Sequence, residues 1–168
     1  GLKHPGNYNG SGPGEGPFLS PAEDSTTNTV MSYNFAGSSA LSSMAYDLLA
    51  LQYLYGANSN NSASTNYSFS SVHGYTVGGS FYGSTSTSKQ SIFDSAGLDT
   101  LDFSGLSLSS GYRFDMNPGG ILTTQTAYNG TLYTDQSTGG QYRTSSFGTT
   151  LSLSTSIENL VNSRGSDR

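Results

Sequence analysis

The chain has no cysteine. Disulfides, thiolate zinc sites and cysteine nucleophiles are excluded, but export is not, because a bound metal can supply the stability a disulfide otherwise would. Charge is scarce as well. Asp, Glu, Lys and Arg make up 10% of 168 residues, with eleven acids, six cations and a formal net charge of −5. The cations form no stripe, and binding along a phosphate backbone needs clustered cations, so no nucleic-acid partner is expected. No apolar run approaches the length of a membrane span. The opening GLKHPGNYNG lacks both an initiator Met and the apolar core of a signal peptide. These first residues read as the middle of a domain. What the chain does have is Gly, Ser, Thr and aromatic rings, with twelve Tyr and eight Phe. That much aromatic area argues for an ordered, β-rich extracellular protein rather than a disordered one.

Residues 1–40 carry Pro5, Pro13, Pro17 and Pro21, a density that prevents a long helix and predicts an ordered loop. The loop ends in Val30-Met31-Ser32-Tyr33. The spacing of Met44, Leu48, Leu51 and Tyr55 predicts one helix over 42–55. Ser42 or Ser43 would cap it, Asp47 would sit near its positive end, and Gly56 would stop it. Leu49, Tyr53 and Leu54 widen the apolar face and predict packing on two sides. Residues 57–65 are polar and mark the best domain boundary, dividing the chain into 1–58 and 59–168. Beyond it, short strands are expected near Tyr67–Phe69, Tyr75–Val77, Gln90–Phe93, Thr100–Phe103, Gly111–Met116, Ile121–Thr126, Thr131–Tyr133 and Thr149–Leu153. Asn129-Gly130 is a hairpin signal.

Three stretches carry chemistry. In Gly1-Leu2-Lys3-His4-Pro5-Gly6, followed by Met31 and Tyr33, the order matches the end of the metzincin pattern H-E-x-x-H-x-x-G-x-x-H plus Met-turn. Taken singly, His4 could be a turn histidine before proline, and Met31 and Tyr33 ordinary core filling. The second stretch, Asp94-Ser95-Ala96-Gly97-Leu98-Asp99, spaces carboxylates around a glycine, as a hard-oxygen calcium loop does. A solvated surface turn has the same composition. The third, Asn162–Asp167, keeps only Gly165 and Asp167 of the calcium-binding nonapeptide G-G-x-G-x-D. His73 lies in a Ser/Gly-rich stretch and reads as a surface histidine without a partner.

In order along the chain, these segments resemble the serralysin family of zinc metalloproteases. Tyr46–Asn58 (YDLLALQYLYGAN) is similar to the family's last catalytic-domain helix. Ile92–Gly105 (IFDSAGLDTLDFSG) resembles its Asp-Ala-Gly-Gly-Asn-Asp-Thr segment, and Ser156–Leu160 the segment leading into its calcium-binding roll. The stretch 106–150 diverges. The resemblance implies a mixed, mainly β chain. The end of a metzincin catalytic domain (loop, Met-turn and one helix) would be followed by a β-sandwich or β-roll-type calcium-binding domain.

Several residue roles are implied in the same way. His4 would be the third zinc ligand. Met31 would be the apolar floor beneath it. Tyr33 would be a resting-state zinc ligand that donates a hydrogen bond to the tetrahedral intermediate. Asp94, Asp99 and the carbonyl near Ala96, with Thr65 or its neighbours, would hold one calcium ion; Gly97, Asp99, Ser156 and Glu158 would hold a second. The parent would be a secreted endopeptidase acting on proteins or peptides, with zinc and calcium as cofactors and a bacterial type I export route. Without H-E-x-x-H, this chain alone is expected to be inactive. The alternative is a non-catalytic, calcium-binding extracellular β-module; a carbohydrate binder is a third. Nothing in the sequence sets the oligomeric state.

Overall fold

Alternating aromatic and hydroxyl residues after residue 65 favour pleated strands with one buried face. The computed structural model describes residues 1–8 and 14–168; Pro13 of the proline-rich opening lies outside the described residues. One helix, α1 (Ala45–Tyr55), precedes β1 (Asn66–Ser71), β2 (Gly74–Val77), β3 (Ser80–Gly83), β4 (Lys89–Ile92), β5 (Thr100–Asp102) and β6 (Tyr112–Phe114). Then follow β7 (Ile121–Thr124), β8 (Thr131–Thr134), β9 (Gln141–Thr144), β10 (Gly148–Leu151) and β11 (Asn159–Val161). The protein is therefore mainly β, with one short helix.

The strands form a sheet ordered β11-β5-β1-β2-β3, a sheet ordered β4-β10-β7-β6, and the hairpin β8-β9. Tyr67 and Phe69 of β1, Tyr75 of β2 and Leu101 of β5 point into one core with Ile92 of β4, Leu122 of β7, Leu151 of β10 and Tyr112 of β6. The two larger sheets thus share a single apolar layer. Phe103 stacks on Phe114 with ring centroids 3.8 Å apart. Strands β1, β5 and β11 run parallel, with Asn66, Thr100 and Asn159 side by side. All three begin at the same level, which places the loops before them together.

Residues 36–41 run along β4, the edge strand of the second sheet, with Thr27 beside them. Ser38 N–H donates to the Ser146 carbonyl at 2.8 Å, and Lys89 N–H to the Ser39 carbonyl at 2.9 Å. Gly37 permits this approach. Its φ is +66°, and a Cβ there would lie 2.3 Å from the Ser146 oxygen. Lys89, fully buried, donates from Nζ to the Ala36 carbonyl and, at 2.8 Å, to Thr27 Oγ1.

Some expectations are corrected. α1 starts at Ala45, and neither Ser42 nor Ser43 caps it; the Met44 N–H is taken by Asp47 Oδ2 at 2.8 Å. Only one flank of the helix packs, because Leu49, Tyr53, Leu54 and Tyr55 are all exposed. Asn129-Gly130 does turn the chain, with Asn129 at φ +52°, but it links β7 to β8, which lie in different sheets. Strands β3, β9 and β11 were not anticipated. β3 follows a two-residue turn, Gly78-Gly79, with φ of +56° and +84°. Positive φ at both central residues matches the twist of a hairpin, so the Gly-Gly pair was its signal.

Burial lowers the Lys89 pKa from its ordinary 10.5 to about 8. The unfolded chain then binds more protons between those values, so stability rises with pH across that window. Denaturant unfolding free energy is expected to rise by on the order of 2 kcal/mol from pH 8 to 10 relative to Lys89→Met. Equal slopes for the two proteins would disprove this.

Candidate functional site

The helix start builds the first site. Asp47, buried in the first turn of α1, accepts from Thr29 Oγ1 at 2.6 Å and from Val30 N–H at 2.8 Å, besides Met44 N–H. Tyr46 N–H donates to the Asn28 carbonyl at 3.0 Å. The helix N-terminus thereby fixes the turn that leads through Met31 to Tyr33. His4 joins it from the opening loop. Its Nδ1 lies 2.7 Å from the Met31 carbonyl, which accepts, so Nδ1 carries the proton. Nε2 is left as the lone-pair nitrogen, and the Tyr33 hydroxyl donates to it at 3.1 Å. The two ring centroids are 4.4 Å apart.

Tyr8 completes the cluster. Its ring stacks on Tyr33 at 4.8 Å, and its hydroxyl donates to the buried carboxylate Asp24. Burial and the neighbouring Asp24 push the Tyr8 phenol pKa well up. Neither residue was singled out from sequence; a tyrosine four positions after His4 was the available signal. The contact between Met31 and His4 is through the Met31 main chain.

The second site lies where the three parallel strands begin. Asp94 Oδ2 accepts from the Tyr67 hydroxyl at 2.6 Å, and its Oδ1 accepts from Ala96 N–H at 3.2 Å. Asp99 Oδ1 accepts from Thr65 N–H at 2.8 Å, and Asp99 N–H donates to Glu158 Oε2 at 2.9 Å. Asp94 and Asp99 are each 1% exposed. Ala96, Gly97, Ser156 and Glu158 are exposed around them. A Cβ on Gly97 would sit 2.9 Å from both the Ala63 carbonyl oxygen and Asp99 Oδ1. Asp99 Oδ2 is buried and accepts no hydrogen bond. Burial raises the Asp99 pKa, and the nearby charges of Asp94 and Glu158 raise it further.

Both donor sets suit the expected metals. A neutral imidazole with its other nitrogen bonded to a carbonyl, beside a phenol, fits part of a zinc shell. Closely set carboxylates with one oxygen lacking any partner fit a hard cation such as calcium. Among the described residues, no three His, Asp or Glu side chains stand close enough to hold a metal by themselves. Asp102 is used locally, accepting from Ser104 N–H at 2.9 Å. Asp167 likewise accepts from Ser163 within its own turn. His73 has partners after all: it is half-buried, with Nδ1 3.0 Å from the Ser84 carbonyl and its ring against Phe147.

No family model matches the chain. Curated relatives do, and they are metal-dependent proteases. Serralysin C of Dickeya chrysanthemi is 38% identical over 135 residues, covering 72% of this chain and 27% of the relative. Serralysin of Proteus mirabilis is 40% identical over 118 residues, 62% of this chain and 23% of the relative. Metalloprotease AprA of Pseudomonas entomophila is 38% identical over 123 residues, 62% and 24%. By sequence, the chain belongs to the serralysin-type metalloproteases. It spans about a quarter of the length of the curated relatives it matches. Among the described residues, no helix is long and apolar enough to cross a membrane.

The raised Asp99 pKa has a consequence in calcium-free buffer. A carboxyl whose folded pKa is raised favours folding at low pH and opposes it once pH passes the folded value. Asp99→Asn is expected to melt above the parent at pH 7 without calcium and to match it below pH 3.8, the ordinary Asp value. A variant that melts lower at pH 7 in chelator would contradict the repulsion.

Proposed function

We infer that the chain is part of an exported zinc endopeptidase, with residues 1–58 ending the catalytic domain and 59–168 forming a calcium-stabilised β-rich domain. One observation carries this reading. His4 Nε2 and the Tyr33 hydroxyl meet at 3.1 Å, while His4 Nδ1 is committed to the Met31 carbonyl. That arrangement keeps the Nε2 lone pair aimed at one point and brings a phenol to the same point. Zinc bound there supplies a polarised carbonyl and an activated water for peptide hydrolysis. His4 holds the correct tautomer. Tyr33 can release Nε2 and donate its O–H to an oxyanion, the type of contact whose loss costs about 10²–10³ in turnover. The substrate class is proteins or peptides.

His4 and His73 are the only histidines, so the chain contains no His-Glu-x-x-His and is expected to be inactive alone. An in-frame His-Glu-x-x-His helix is expected immediately upstream of Gly1 in the gene. The longer protein is expected to hydrolyse casein with zinc and to lose at least about 100-fold of its turnover in His4→Ala. A stop codon or an unrelated upstream domain would end the protease reading.

Calcium is the second cofactor: Asp94, Asp99 and the carbonyl near Ala96, with Thr65, would hold one ion, and Gly97, Asp99, Ser156 and Glu158 a second. The partnerless Asp99 Oδ2 also supports the reading of a non-catalytic calcium-binding β-module, since it depends on nothing in residues 1–58. The melting temperature is expected to rise with calcium concentration, because the ion binds only the folded state, and to stop responding in Asp99→Ala. No response in the parent chain would remove calcium from both readings.

A further inference from the structure

The Tyr33 turn is gripped from a distant part of the chain. Gln136 Nε2 donates to the Tyr33 carbonyl at 2.7 Å, and Gln136 N–H donates to Asn34 Oδ1 at 2.8 Å. Asn34 Nδ2 donates to Asp135 Oδ1 at 2.8 Å and to the Asp24 carbonyl at 2.7 Å. Residues 33 and 34 are thus held on main chain and side chain by Asp135-Gln136, at the tip of the hairpin β8–β9.

The tip is itself fixed. Asp135 Oδ2 accepts from Ser137 Oγ, Thr138 N–H and Thr138 Oγ1, each at 2.7 Å. Next to the tip, Tyr133 donates to the Pro21 carbonyl at 2.8 Å. The hairpin buries Tyr133 beside Pro21 but leaves Leu132 and Gln136 exposed, and it meets the Tyr33 turn itself through directional polar contacts at Tyr33 and Asn34.

We propose that the β8–β9 hairpin is a positioning element for the Tyr33 phenol, with Asp135 and Gln136 acting through the Tyr33 carbonyl and the Asn34 side chain. The proposal rests on reading Tyr33 as part of the zinc site, but the geometry it concerns needs no metal. Tyr33 is half exposed, and its ring is held otherwise by Tyr8 stacking and by His4. A phenol at the end of a long side chain magnifies any rotation of its backbone, and a displacement of about 1 Å at a reacting group can cost on the order of 10²-fold in rate. Holding the Tyr33 carbonyl and the next side chain, Asn34, at once restricts that freedom.

The test uses this chain in solution. The nuclear Overhauser cross-peak between the His4 and Tyr33 rings is measured in the parent and in Gln136→Glu, an isosteric change that removes the amide donor. Gln141→Glu, an exposed change elsewhere on the same hairpin, is the control. The cross-peak is expected to fall by about twofold or more in Gln136→Glu and to persist in the control, with melting temperatures within about 2 °C of the parent. An unchanged cross-peak in Gln136→Glu overturns the proposal. So does an equal loss in the control, or a loss accompanied by a melting drop above about 5 °C, since the hairpin would then support the fold rather than the phenol. The zinc reading fails separately, through the gene sequence or the activity of the His4→Ala protein.

Discussion

One buried carboxylate holds the helix and the Met31 turn in a single frame. Asp47 takes three donors at 2.6–2.8 Å, two from the turn and one from the helix start. Hydrogen bonds to a charged acceptor are stronger than neutral ones, and leaving such a charge buried without them is costly. No serine caps helix α1; besides Asp47, its first turn is held by Tyr46 N–H on the Asn28 carbonyl. The turn has no ladder of its own. His4 then bonds to the Met31 carbonyl, and Tyr33 meets His4, so these two rings take their places from a turn that Asp47 fixes.

The sandwich was readable where side-chain chemistry alternates. Tyr67-Ser68-Phe69 shows its buried face in the sequence, and most expected strands lie within a few residues of the observed ones. Gln141–Thr144 and Asn159–Val161 gave no such pattern. The first is a polar hairpin strand, and the second is an exposed edge held by parallel pairing to β5. The order of His4, Met31 and Tyr33 was legible, and the structure brings them together. The contact of Asp135-Gln136 with Tyr33 was not legible, because about a hundred residues separate partners joined only by hydrogen bonds. Nor was Lys89 readable as a buried residue. Its burial comes from Thr27 and residues 36–41 lying along β4, and a Ser-Lys-Gln-Ser segment carries no sign of that cover.

The carboxylate loop illustrates how topology concentrates charge. Three parallel strands that start at one level bring Thr65, Asp99 and Glu158 to the same end of the sheet. The apolar layer of the core lies directly below, so Tyr67 and Leu101 exclude water from beneath the acids. Asp94 is satisfied by Tyr67 and Ala96, while Asp99 keeps an oxygen without any partner. A site with excess acceptors and too few donors is stable only when a cation or protons make up the difference.

The buried ammonium of Lys89 also makes the cover along β4 observable in time. Lys3 and Lys89 are the only lysines, and Lys3 is exposed. An amine-reactive reagent can modify the chain terminus and Lys3 at once, but it meets Lys89 only in molecules whose Thr27 and 36–41 stretches have lifted from β4. The lag between those modifications is a clock for local opening, set by the free energy of detaching that segment rather than of unfolding the whole protein.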